Sequence, residues 1–470
     1  MSEGPNTGTA PRPGETGYTD APAHGSSIGA YLHRTVTTVP GRIFGLICAM
    51  YFITYVDRVN ISTLAPLMAA DLHLSNVQLG LALSAFGYPY ALLQILGGSV
   101  ADRMGARKTL IVCGIIWGVA TVLTGMAGGL FSLIVIRVLL GIGEGATFPA
   151  ATRAVTSWVP SGHRGYAQGM MRSSSRLANA VTPPLTVMVA LWLGWRGAFV
   201  ALGCVSLGWT LAWALMFRDR PAEHPGITPA DLEELPVIEK SSVASRLRDV
   251  PWGMLVRKMM PATAIYFCYN WTLWLYITWL PSFFVQAYGL NLSHTAFFSF
   301  GVFTAGVAGD TCGGLFTDHL FRRHGNLPQA RRQVIITSMI GSMLCLLPAL
   351  FIHNLTVIGL ALGLAFFFLE LTVGPIWAIP MDMAPQYAGT GSGIMNTGSA
   401  VAGILSPFAF GLIIQLSHSY SLPFYGPAIL LLVGAVLAFH FLPSAPPDDR
   451  QRPDEPVPVS VGGLREAHGH

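Results

Sequence analysis

"GGSVADRMGARK", residues 97–108, ends one apolar run and leads into the next. Its paired glycines, Gly97 and Gly98, let helices approach closely. Asp102 stands near Arg103, Arg107 and Lys108, a set able to build a charge network at a membrane surface. A second version occurs far downstream: in "GGLFTDHLFRR" (313–323), Gly313, Gly314 and Asp318 follow Gly97, Gly98 and Asp102 at one constant offset. Other positions repeat in the same order. Glu144 and Pro149 correspond to Glu370 and Pro375, and Pro160, Gly169 and Pro184 to Pro385, Gly393 and Pro407. Chance seldom keeps so many Gly, Pro and acidic positions in register, so an internal duplication is the economical reading. Duplications of this kind place binding sites near the bilayer midplane, where the halves meet.

The surrounding composition agrees. Of 470 residues, 52% are hydrophobic and 11% charged, where a soluble domain carries about a quarter charged. Apolar runs of about 20 residues, the length that crosses a bilayer, recur twelve times between residues 41 and 443. The expectation is an all-α membrane protein of twelve transmembrane helices in two pseudo-symmetric six-helix bundles, 41–217 and 260–443, joined by a linker at 218–259. Residues 1–40 and 444–470, rich in Gly, Pro and polar residues, are expected to be disordered tails; the first lacks the apolar core of a cleavable signal.

Lys and Arg accumulate in cytoplasmic loops. With the N-terminus inside, Arg103, Arg107, Lys108, Arg164, Arg322 and Arg323 fall on the inner side and only Arg196 on the outer. Both termini are therefore expected in the cytoplasm, with the chain multi-pass in the cell inner membrane. The net charge of +4 follows from this loop bias and does not point to nucleic acid. The six cysteines show no C-x-x-C spacing and read as buried free thiols.

The central loop and G-G-x-x-x-D-R-x-G-x-R-K between spans two and three resemble the major facilitator superfamily. Within it, "YVDRVNIS" (55–62), "SAFGYPYALLQILGG" (84–98), "GEGATFPA" (143–150) and "WVPSGHRGYAQGM" (158–170) resemble the anion:cation symporter family. That family includes galactonate-type sugar-acid permeases, sialin and vesicular glutamate carriers. The resemblance implies import of a small organic anion by proton symport through alternating access. Span five lacks the G-P-x-x-G-G element of drug–proton antiporters, and span one lacks the E-x-x-E-R pattern of peptide carriers.

An ionisable residue at bilayer depth costs about 2.5–3.5 kcal/mol on insertion scales and usually faces a cavity or partner. Arg58 offers a planar fork to a carboxylate; the resemblance makes it the substrate ligand, and a structural ion pair is the alternative. Asp57 and Glu144 match the family's proton carriers, or else one of them neutralises Arg58 or Arg137. Arg137 and Glu144 are about two helical turns, roughly 10 Å, apart, too far to pair directly. Arg172 and Arg176 are one turn apart on one face of span five. They favour a substrate with extra negative charge, a dicarboxylate or sulfonate, unless Arg176 pairs with Glu144 or Glu370. Tyr55, Tyr90, Ser175, Asn270, Trp377 and Asn396 complete the candidate site, chiefly by motif match. Asp102, Arg103, Arg107, Lys108 and Asp318 are assigned to a cytoplasmic gate. Glu370 is left as an accessory charge, either a second protonation site or a partner for Arg172 or Arg176, and Asp310, close to the cytoplasmic end, is set outside the main site.

"RVLLGIGEGATFPA" (137–150) contains G-x-G-x-x-A, yet it follows no strand and belongs to no βαβ unit, so it is no dinucleotide fingerprint. No phosphate loop, metal-ligand spacing or nucleophile–histidine pairing occurs, so neither enzyme activity nor a metal or cofactor is expected. The function classes left are a proton-coupled importer of a sugar acid, dicarboxylate, aromatic acid or sulfonate; an anion exchanger or effluxer; and a sensor that binds without translocating. A monomer is expected.

Overall fold

A computed structural model describes residues 38–160, 164–235, 251–352, 354–383 and 388–442; the expected tails fall almost wholly outside them. Regular structure among the described residues is all helical. In chain order the helices are α1 Val39–Asp71, α2 Asn76–Ala85, α3 Gly87–Met104, α4 Ala106–Thr124, α5 Leu130–Gly145, α6 Thr147–Trp158, α7 Arg164–Met216, α8 Pro229–Glu234 and α9 Trp252–Tyr288. They continue with α10 Leu292–His324, α11 Leu327–Leu346, α12 Pro348–Phe351, α13 Leu355–Glu370, α14 Val373–Met383, α15 Ala388–Ser417 and α16 Tyr425–Phe441.

Local chemistry sets the ends. Ser75 and Gln78 form a capping box before α2, and the side chains of Asn291, Asn326 and Asn354 cap α10, α11 and α13, each occupying an amide that a helix start leaves unpaired. Gly289 and Gly325 close α9 and α10 in the left-handed region. Gly194, at φ 69°, breaks α7 into two legs.

Pairing the interrupted helices end to end, α2 with α3, α5 with α6, α11 with α12 and α13 with α14, and dividing α7 at Gly194, makes twelve crossings among the described residues. Eight helical runs are long and apolar enough to span a membrane on length and composition. The second, seventh and eighth crossings fall outside that set. The eighth, α10, carries Asp310 and, at its end, Asp318, Arg322 and Arg323. Helix α9 starts at Trp252, well before the apolar run expected from residue 260. The polarity is inverted relative to a soluble protein: Trp192 is 85% and Phe131 81% exposed, while Asp57, Arg58, Glu144 and Glu370 are buried. The cysteines are all unpaired, but only Cys113 and Cys268 are buried and Cys204 is exposed, because an apolar environment outside the helices tolerates a thiol as well as the interior does.

The halves meet where α1 packs on α9, α2 and α3 on α15, and α7 on α10. We call the end carrying the start of α1 and the end of α16 the terminal face. At the opposite face α2 and α15 interlock: Val77 N donates to Gln415 Oε1 at 3.1 Å, and a Cβ on Gly80 would stand 2.7 Å from the Pro407 carbonyl oxygen. Near the terminal face lies a cavity of about 620 Å³ lined by Gly253, Met254, Arg257, Lys258 and Met383; it contains none of the candidate site residues.

The repeat has a structural meaning. Gly97 sits against Ala146, where an added Cβ would come within 2.6 Å of the Ala146 Cα, and Gly313 sits against the Leu371 carbonyl. Ala146 and Leu371 are the breaks that follow Glu144 and Glu370. In both halves a glycine of the repeated loop motif admits a broken helix, and a buried acid lies within two residues of the break. Discontinuous helices of this kind expose backbone and side-chain polarity at mid-membrane.

Candidate functional site

Asp57 and Arg58 are adjacent on α1, so their side chains leave the helix about 100° apart and reach different neighbours. Arg58 Nε donates to Glu144 Oε2 at 2.7 Å, with side-chain exposures of 6% and 0%. The guanidinium carbon lies 4.6 Å from the ring centre of Tyr90, 5.1 Å from Tyr55, 5.2 Å from Phe148 and 5.3 Å from Phe86. Aromatic faces hold a desolvated cation by their quadrupole. The pairing is incomplete, since Arg58 Nη2 and Glu144 Oε1 are buried with no hydrogen-bond partner. The arginine is thus both ion-paired to a neighbouring helix and left with a donor to offer.

Asp57 turns toward the second leg of α7, accepting from Ser206 Oγ at 2.8 Å and from Asn60 Nδ2 at 3.3 Å. With Asn60, Thr121, Thr124 and Arg137 it lines a narrow cleft too tight to admit a water molecule. Arg137 also lies over Phe86 at 5.0 Å, and its Nε has no partner. No ion pair joins Arg137 to Glu144 among the described residues, as their spacing along α5 requires.

The second cluster spans the two halves. Arg176 of α7 stands 2.8 Å from Glu370 Oε2 and 3.5 Å from Asp310 Oδ2. Glu370 Oε1 accepts from Tyr269 OH of α9 at 3.1 Å. Glu370 Oε2 is near Arg176 but too poorly aligned for a hydrogen bond, and remains an orphaned acceptor. One turn away, the Arg172 guanidinium lies 4.3 Å from the Trp377 ring, whose Nε1 donates to Tyr266 OH at 3.1 Å. The position of Asp310 departs from the expectation: it belongs to this central cluster, because α10 packs against α7 and turns that residue toward Arg176. Of the two partners open to Arg176 in the sequence, the fold supplies Glu370. Tyr55 borders the first cluster through the Arg58 guanidinium.

The remaining expected residues divide. Tyr90 accepts from Gln94 Nε2 at 2.6 Å, and Gln94 Oε1 accepts from Asn396 Nδ2 at 2.7 Å, a chain that crosses from α3 to α15. Asn270 is buried, donating to the Tyr266 carbonyl at 2.8 Å and accepting from Ser399 Oγ at 2.7 Å. The Ser175 hydroxyl donates to the Met171 carbonyl at 3.2 Å within its own helix. In the gate motif, Arg107 Nη2 donates to the Ala214 carbonyl at 2.6 Å and Arg107 N to Asp219 Oδ1 at 3.0 Å, so it ties α4 to the end of α7 inside one half. Gly105, at φ 83° and ψ 157°, makes the turn before α4, an extended positive-φ conformation open essentially to glycine and costing another residue about 1–3 kcal/mol. Arg103, Lys108 and Asp318 are exposed, and the side chain of Asp102 lies outside the described residues.

Sequence reading passed over Gln94, Tyr269, Ser206, Asp219 and Asn179. Asn179 is 1% exposed and neither its Nδ2 nor its Oδ1 has a partner. A signal was present, since positions 172, 176 and 179 repeat at helical spacing and put Asn179 on the face of the two arginines.

Twelve helical crossings in two halves, sealed at one face and holding buried arginine–acid pairs beside broken helices, form the frame of a multi-pass secondary transporter. The chain belongs to the major facilitator superfamily, whose family model matches residues 47–407, and it is of the anion:cation symporter type. It is 47% identical over 413 residues to a probable sulfoacetate transporter, SauU, of Cupriavidus necator, covering 88% of this chain and 95% of that one. It is also 29% identical over 418 residues to the D-galactonate transporter of Escherichia coli, covering 85% and 94%. Among solved structures, a bacterial homologue of the human lysosomal transporter Spinster, in an inward-facing and unoccupied conformation, aligns with TM-score 0.69 at 17% identity over 86% of this chain and 97% of that one. At that identity the likeness concerns the fold.

Proposed function

We propose that the protein imports a small organic anion bearing two acidic groups, of the sulfoacetate type, by proton symport through alternating access. The carrying observation is the buried Arg58 with one donor unpaired, in a chain whose helix α7 adds two further arginines on one face, Arg176 beside Glu370 and Arg172 on Trp377. A carboxylate taking Arg58 Nη2 would gain a charge-assisted hydrogen bond, and the second acidic group would face Arg172 and Arg176. The 47% identical relative, itself named a probable sulfoacetate transporter, supports this cargo.

In this reading Asp57 and Glu144 each carry a proton. A carboxylate on Arg58 competes with Glu144 for the guanidinium, and a buried acid that loses its cation takes a proton. The terminal face is cytoplasmic, the membrane is the cell inner membrane, the monomer is the working unit, and the six-helix units at 41–217 and 260–443 rock about the central site. Tyr90, Gln94 and Asn396 link the halves across it.

The test is counterflow and pH-driven uptake of labelled sulfoacetate in proteoliposomes, with acetate and methanesulfonate as one-charge competitors. Sulfoacetate should be accumulated, and each competitor should inhibit at least tenfold more weakly. A protein stabilised by sulfoacetate without counterflow would be a sensor. Uptake driven by internal anion and indifferent to pH would mark an exchanger. Equal inhibition by acetate would remove the two-charge reading.

A further inference from the structure

The geometry points to Glu370 as an additional proton carrier, discharged from Arg176 when the second acidic group of the substrate claims that arginine. This inference rests on the two-charge cargo proposed above.

The two buried acids beside broken helices differ in where their cation comes from. Glu144 is paired with Arg58 inside its own half. Glu370 receives only a neutral donor, Tyr269, from its own half; its cation, Arg176, comes from the other half across the interface. Movement of one half against the other therefore leaves the first pair intact and separates the second. The groups facing Glu370 are Arg176 and Arg172 from α7, Asp310 from α10 and Tyr269 from α9. Two acids share Arg176 with each other, and Arg172 is stacked on Trp377.

When a sulfonate or second carboxylate draws Arg176 away, the buried Glu370 and the partly buried Asp310 become neighbouring carboxylates without a shared cation. Two desolvated like charges cannot both persist. A proton from water on the side then open adds to the Glu370 carboxylate, giving a neutral carboxyl that remains hydrogen-bonded to Tyr269. After the anion leaves, Arg176 returns, the carboxylate is restored and the proton departs to the opposite side. With Asp57 and Glu144 each carrying one proton, a dianion travels with three, and one net positive charge moves inward per cycle.

The experiment measures protons per anion from the pH gradient that nulls net flux of labelled sulfoacetate at a fixed anion gradient with the membrane potential clamped at zero, and separately tests whether an imposed potential drives uptake. Wild type should give three and Glu370→Gln two, so that the variant is still driven by pH but no longer by an inside-negative potential. Equal stoichiometry in the two proteins, or wild-type uptake insensitive to potential, overturns the assignment. Absence of any sulfoacetate uptake by wild type would instead overturn the cargo. Should Glu370→Gln fold poorly, Glu370→Met, which also removes the titrating group but keeps Arg176 for the anion, is measured in its place, with the same loss of one proton expected and an unchanged count overturning the proposal.

Discussion

Substituting Gly80 by alanine should release the seal at the opposite face. A Cβ at Gly80 would lie 2.7 Å from the Pro407 carbonyl oxygen and 3.3 Å from the Phe408 Cα, both backbone atoms of the other half. That oxygen cannot turn aside, because it accepts from Trp279 Nε1 at 3.0 Å. Ordinary contact begins near 3.4 Å, so α2 and α15 would have to part by about 0.7 Å. Overpacking of this size costs about 1–3 kcal/mol, and the cost falls only on the state in which these helices touch. An equilibrium shift of about 5–150-fold follows. The reporter is Ser84→Cys, one turn further into the bundle, where the native hydroxyl is buried and without a partner. In a background with the six native cysteines replaced by alanine, a membrane-impermeant maleimide added on the outer side should label Ser84→Cys faster by that factor once Gly80→Ala is present. Gly301→Ala, whose added Cβ meets nothing within 4 Å, is the control. Labelling of Gly80→Ala at the control rate, in protein of normal thermal stability, would refute the seal.

Further expectations concern the buried pair in the N-terminal half. Arg58→Ala leaves Glu144 buried without its cation and should destabilise the protein by about 3–5 kcal/mol, whereas Arg58→Met/Glu144→Gln should recover most of that loss; neither should respond to sulfoacetate in thermal unfolding. A ligand-induced shift of wild-type size in the double variant would show that the anion does not sit on Arg58. Glu144→Gln keeps an acceptor for Arg58 Nε but cannot exchange a proton. It should lose pH-driven accumulation while retaining anion exchange, and undiminished accumulation against a gradient would move the coupling role elsewhere.

Much of this molecule is legible in one dimension because a bilayer filters composition run by run. Apolar length marks the crossings. The repeated Gly-Gly and Asp positions mark the duplication, and the cost of charge in lipid makes Arg58, Arg137, Glu144, Arg172, Arg176 and Glu370 conspicuous wherever they fall. Spacing alone also determines that Arg137 and Glu144 stand too far apart to pair. Helical periodicity could have brought Asn179 into the site, since it shares the face of Arg172 and Arg176.

Partner choice was beyond that reach. Which acid meets Arg58, which meets Arg176, and whether Asp310 points inward all depend on how helices distant in sequence pack and rotate against one another. A side chain touches only what the fold has already brought within about 4–4.5 Å of it. The fold sends Arg58 to Glu144 within one half and Arg176 to Glu370 and Asp310 across the interface. The sequence by itself determined a duplicated twelve-span membrane chain with buried arginines and acids. Tertiary structure alone decided that one ion pair is internal to a half and the other bridges the two, because pairing depends on three-dimensional proximity while hydropathy and repeats are properties of the chain.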